Sequence, residues 1–132
     1  MSGLFEPIVQ GAVPRPPITW LHRAEFCNAV ELHVYWGRQG GLPRVTPEQA
    51  AVAHSLFSDD LRWEVLFEEA TLESDDLNIQ LETLSLRHSA RHGFRTYDLM
   101  HVASALLLGC DTFWSFDAKA VRLAKLEGLA AT

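Results

Sequence analysis

The run Arg95-Thr96-Tyr97-Asp98-Leu99-Met100-His101-Val102-Ala103-Ser104-Ala105-Leu106-Leu107-Leu108-Gly109, followed by Thr112-Phe113-Trp114-Ser115-Phe116-Asp117, decides the fold. Thr96 is placed to cap a helix over Tyr97–Leu108, and Gly109 to end it. Thr112–Phe116 is a brief apolar run of strand type. Asp117 then opens a last helix over Ala118–Glu127, which Gly128 closes. Upstream, Ser74-Asp75-Asp76 starts a helix that runs to Arg91 and stops at Gly93. Trp63–Phe67 reads as a short strand before it. Strand, helix, helix, strand, helix predicts a small α/β sandwich with parallel strands.

Working outward, a long helix is predicted over Trp20–Arg38, ending at Gly40-Gly41. Its apolar residues lie on two sides, Leu21, Ala24, Leu32, Tyr35 and Trp36 against Phe26, Val30 and Val34. That pattern predicts packing on both sides, with Phe26, Val30 and Val34, plus Trp36, as part of a partner surface. Thr46-Pro47-Glu48-Gln49 carries a capping box with Pro at the first helical position, and its helix is predicted to reach about Phe57. Residues 1–17, punctuated by Pro7, Pro14, Pro16 and Pro17, read as irregular extended chain.

The chain has 132 residues, which predicts one domain, residues 1–132. It is 48% apolar and 21% charged, so disorder is excluded as the default. A net charge of −6 excludes a generic nucleic-acid coater, but not an enzyme that holds metal ions with carboxylates. Cys27 and Cys110 cannot build a disulfide framework, and both sit in apolar runs. Buried, reduced thiols in a cytoplasmic protein are the expectation. No apolar run is long enough to span a membrane, and the N-terminus lacks the pattern of a signal peptide.

Three carboxylates stand out. Asp117 lies at a strand's carboxyl end, where open α/β sheets bind ligands. Asp98 lies in the first turn of its helix, and Glu25 on a helix face expected to be buried. Three such groups are what a hard divalent cation needs. Each also has a plain reading. Asp117 makes a good N-cap, Asp98 favours the helix dipole, and Glu25 can pair with a base. His88 and His92 stand four apart, but the Glu of H-E-x-x-H is absent, which favours a helix surface over zinc. His101 reads as packed or hydrogen-bonded near Asp98. Arg87, His88, Arg91, His92 and Arg95 form a basic island suited to RNA phosphates or to a solvated face.

Arg95 to Ala105 resembles the "R-x-x-D-x-x-H-x-A-x-A" run of PIN-domain ribonucleases. Phe113-Trp114-Ser115-Phe116-Asp117 resembles their "F-x-[T/S]-F-D" strand end. Leu123-Ala124 with Gly128-Leu129 fits "L-A-x-x-x-G-L". Glu25-Phe26-Cys27-Asn28-Ala29 is similar to the family's "E-[L/F]-x-N-A" helix start, and His88–Arg95 to the stretch before the Asp helix in VapC-type toxins. The likeness covers residues 18–130. It implies a PIN-like α/β/α sandwich and a metal-dependent endoribonuclease, the toxin of a type II toxin–antitoxin pair. Glu25, Asp98 and Asp117 would hold Mg²⁺ or Mn²⁺, and a metal-bound water would cut RNA. Ser115 would orient a water or carboxylate. Arg87, Arg91 and Arg95 would meet RNA, and the partners would be a VapB-type antitoxin and a second copy.

The family's first strand, ending in "L-D-[T/S]", has no counterpart here; Glu6 is the only acid before Pro17. The chain reads as if it begins after the first βα unit, short of a principal metal ligand. The same resemblance therefore implies a second function, a PIN remnant that no longer cuts RNA and acts as an antitoxin-binding or interaction module.

Overall fold

The computed structural model describes residues 6–11, 14–41 and 44–132. Contacts gather them into two compact units, Met1–Thr71 and Leu72–Thr132. Each unit mixes helices with one pair of parallel strands, so the fold is α/β.

In the first unit, Glu6–Val9 forms a short helix (α1) where extended chain was expected. Strand β1, Pro17–Ile18, pairs in parallel with β2, Glu68–Glu69. Helix α2 covers Trp20–Arg38, as its sequence predicts. Thr19 is buried at its start, and its N–H donates to His22 Nδ1 at 3.1 Å. Helix α3 covers Pro47–Trp63. Thr46 Oγ1 accepts from the Gln49 N–H at 3.1 Å, and Gln49 Oε1 accepts from the Thr46 N–H at 2.9 Å, completing the predicted capping box.

α3 runs past Phe57 into the segment expected to be a strand. It ends where Glu64 adopts a left-handed conformation, with φ 50°. Asp60 secures that end: its carbonyl accepts the Val65 N–H and its Oδ1 the Leu66 N–H, both at 3.3 Å. Those amides are thereby engaged in the helix end, and the strand is left to Glu68–Glu69.

Helices α2 and α3 meet through Phe26 stacked on Phe57, with ring centroids 4.2 Å apart. Phe26 is therefore used within the chain rather than kept for a partner. Only Leu21 and Val34 of α2 are buried, while Trp20, Leu32, Tyr35 and Trp36 are exposed, so among the described residues α2 is not packed on both sides.

The second unit begins with α4, Ser74–Leu84. A π-helical turn, Ser85–Ser89, interrupts the helix before α5, Ala90–His92. Gly93 ends it with φ 71°, a conformation that costs glycine little. The π turn leaves a mark. Thr83 and Ser104 hydroxyls donate to the carbonyls four residues back, at 2.8 and 2.7 Å, whereas the buried Ser89 Oγ has no hydrogen-bond partner. In a π turn the carbonyl ladder is displaced, and that back-bond is not made.

Helix α6, Thr96–Leu107, starts from Arg95 rather than from Thr96. Strand β3 is only Thr112–Phe113. Helix α7, Ala118–Leu126, crosses over to β4, Ala130–Ala131, which runs parallel to β3. Parallel strands need such a crossover. The core of this unit is Leu77 and Leu84 of α4, Leu99, Val102 and Ala103 of α6, and Leu123 and Ala124 of α7, with Leu72, Phe94 and Leu129. These fall at the helical spacing that the sequence shows.

No described helix is long and apolar enough to cross a membrane. Both cysteines are free. Cys27 is exposed and Cys110 half-buried, which corrects the expectation of two buried thiols. Burial, then the neighbouring Asp111, pushes the Cys110 thiol up, away from the reactive thiolate.

Candidate functional site

Asp98 and Asp117 both lie in the second unit, and each closes a helix start. Asp98 is buried in the first turn of α6, and its Oδ2 accepts the Arg95 N–H at 3.0 Å. That bond ties the helix to the loop before it. Asp117 is the N-cap of α7. Its Oδ1 accepts from the Lys119 N–H at 2.9 Å and the Ala120 N–H at 3.5 Å. Ser115 Oγ accepts the Asp117 N–H at 3.0 Å, so Ser115 supports the cap. Glu25 is half-buried on α2 of the first unit.

The basic island is divided. Arg87 Nη1 donates to both Glu127 oxygens, at 2.6 and 2.8 Å, and His88 Nε2 lies 2.5 Å from Glu127 Oε2. The Glu127 side chain is 8% exposed and that of His88 11%, against 52% for Arg87. Burial pushes the Glu127 carboxyl up. Hydrogen bonds from His88 and Arg87, with their charges, outweigh it and hold the group below its usual range. Arg91 and Arg95 are exposed. Burial, then the charges of Arg122, Arg91 and His88, holds the His92 imidazole below its ordinary value. His101 packs edge-on against Tyr97, with centroids 4.9 Å apart.

Glu127 is the residue that sequence reasoning missed. It appeared only as the last residue of a helix, and nothing local announces that the π turn brings Arg87 and His88 onto it.

Among the described residues, no three His, Cys, Asp or Glu side chains gather where they could hold a metal ion. The expected Mg²⁺ or Mn²⁺ site of Glu25, Asp98 and Asp117 is therefore overturned, and the metal-dependent endoribonuclease with it. Local chemistry gives the reason for two of the carboxylates: each has one oxygen committed to backbone N–H at its own helix start. A hard cation would have to compete with those bonds.

No family model, no curated protein and no solved structure matches this chain. The expected nuclease and toxin–antitoxin assignments thus have neither a family match nor a metal site behind them.

A substitution separates capping from metal holding at Asp117. Asp117→Ala is expected to cost about 1 kcal/mol, and Asp117→Ser only a few tenths, because the hydroxyl still caps. Urea denaturation reads the difference. Equal losses in both variants would show that the carboxylate does something other than cap.

Proposed function

We propose that the chain is a PIN-like domain that works by binding a protein partner rather than by cutting RNA. Its finer architecture in this reading is the PIN-like α/β/α sandwich, kept in the helix–strand–helix tail from Arg95 to Gly128. The observation that carries it is the engagement of Asp98 and Asp117 with backbone amides at helix starts. Carboxylates used this way support a fold rather than a reaction. The partner class implied by the resemblance is a small antitoxin-type protein, with a second copy of the chain as the other implied assembly.

Phe116 supplies the site for a test. It is 93% exposed, a cost that a covering partner would remove. A photo-reactive phenylalanine analogue at position 116, activated in cells, is expected to give one discrete protein adduct, with the same analogue at Val52 as the control. Adduct mass separates a second copy from a different protein. Absence of any adduct, together with Mn²⁺-dependent RNA cleavage by the purified chain, would overturn the reading.

A further inference from the structure

We propose that the outer face of α7, Lys119 with Arg122, joined by Arg91 and the exposed Phe116, docks an acidic peptide segment carrying an apolar anchor. The inference rests on the interaction-module reading and names the chemistry of the partner.

Charge comes first. Residues 118–126 hold Lys119, Arg122 and Lys125 and no acid. Spacing of three puts them along one side of the helix, and all three are exposed. Lys119 Nζ donates to the Gly93 carbonyl at 3.2 Å, which brings the end of α5 beside the start of α7. Arg91, exposed two residues before Gly93, adds its charge from that end.

The acids that follow Glu82 are each engaged within the chain. Asp98 bonds the Arg95 N–H, Asp111 accepts the Thr112 hydroxyl at 2.9 Å, Asp117 caps α7, and Glu127 is held by Arg87 and His88. Those bonds leave the carboxylate charges in place, so the excess of cations is local to the side of α7 that carries Lys119, Arg122 and Lys125.

Next comes the anchor. Phe116 sits just before the α7 N-cap, where an apolar residue commonly packs against the fourth helical position, here Val121. It does not pack there: it is 93% exposed, and it meets Trp114 edge-on, with centroids 4.9 Å apart. Trp114 is itself exposed. Two exposed aromatic rings shortly before Lys119 in the chain are of the residue type enriched in binding surfaces.

The occupant is a short carboxylate-bearing peptide rather than a nucleic acid. Nine residues of helix are about 14 Å long, enough for a few carboxylates but short for an extended phosphate backbone. A net charge of −6 also disfavours a long polyanion, whose binding rests on an extended basic surface.

Fluorescence anisotropy on the full chain tests this. The probes are a labelled short Glu/Asp peptide with a central Leu-Phe pair, its Lys-substituted twin, and an oligouridylate of equal length. The acidic peptide is expected to bind, and to weaken about tenfold or more in the K119E/R122E double variant. R62E, on the other unit, leaves it unchanged, and Phe116→Ser weakens it without altering the circular dichroism. Retained affinity in K119E/R122E, tighter binding of the oligouridylate, or no acidic-peptide binding overturns the proposal. If the twin binds as well as the acidic peptide, or the photo-adduct partner lacks an acidic segment, this inference falls and the interaction-module reading stands.

Discussion

Leu123→Ala is expected to cost the second unit about 3 kcal/mol, enough to consume much of the stability of a small domain. Leu123 is fully buried in α7 among Leu84, Leu99 and Val102, so truncation removes apolar contact and leaves a cavity. Leu126, on the same helix and 44% exposed, serves as the comparison. Leu126→Ala should cost less than about 1 kcal/mol. Urea unfolding followed by circular dichroism measures both. Equal costs would mean that α7 does not hold this unit together.

Glu127→Gln is expected to be the next largest effect, about 2 kcal/mol at neutral pH, since charge-assisted hydrogen bonds from Arg87 and His88 are weakened together. The figure allows for the exposure of Arg87, whose share is screened by water. The pH dependence has a definite sign. Folding lowers the Glu127 pKa from its usual 4.5, so its contribution is complete above that value. It disappears as pH falls through the lower, folded-state value. The urea midpoint of the natural chain should therefore drop below about pH 4.5 more steeply than that of Glu127→Gln. Parallel curves would remove Glu127 as the source.

Helix starts and stops were legible in the residues. Trp20–Arg38 emerged with both ends as predicted, Thr46 with Gln49 capped as predicted, and Gly93 and Gly128 ended helices where expected. These are local events, decided by a side chain reaching a backbone group a turn away. What failed depends on neighbours distant in sequence. The two apolar sides of α2 said that something could cover them, not that one would remain exposed. Trp63–Phe67 has strand-like residues, yet Asp60 held the following amides in a helix end.

The candidate site divides in the same way. Capping by Asp117 was readable from position, and it is what the structure shows; for Asp98 position gave the helix dipole, to which the structure adds a bond from the Arg95 N–H. The metal role came from resemblance. Whether three carboxylates gather depends on how remote segments meet, which spacing alone does not contain. Glu127 shows the converse: it carried no motif, and its role appears only where α7 meets the π turn.

The π turn also sets a phase. Consecutive residues of an α-helix point about 100° apart, so Arg87 and His88 would ordinarily diverge. Here the length and reach of the two side chains bring both to one carboxylate, while the extra residue of the turn rotates all that follows, Arg91 and His92 included, relative to α4. Removing Ser85 or Leu86 would reset that rotation and turn Arg91 away, with Arg87, His88, Arg91 and His92 all still present. The basic face is thus encoded as a count of residues as much as by their identity.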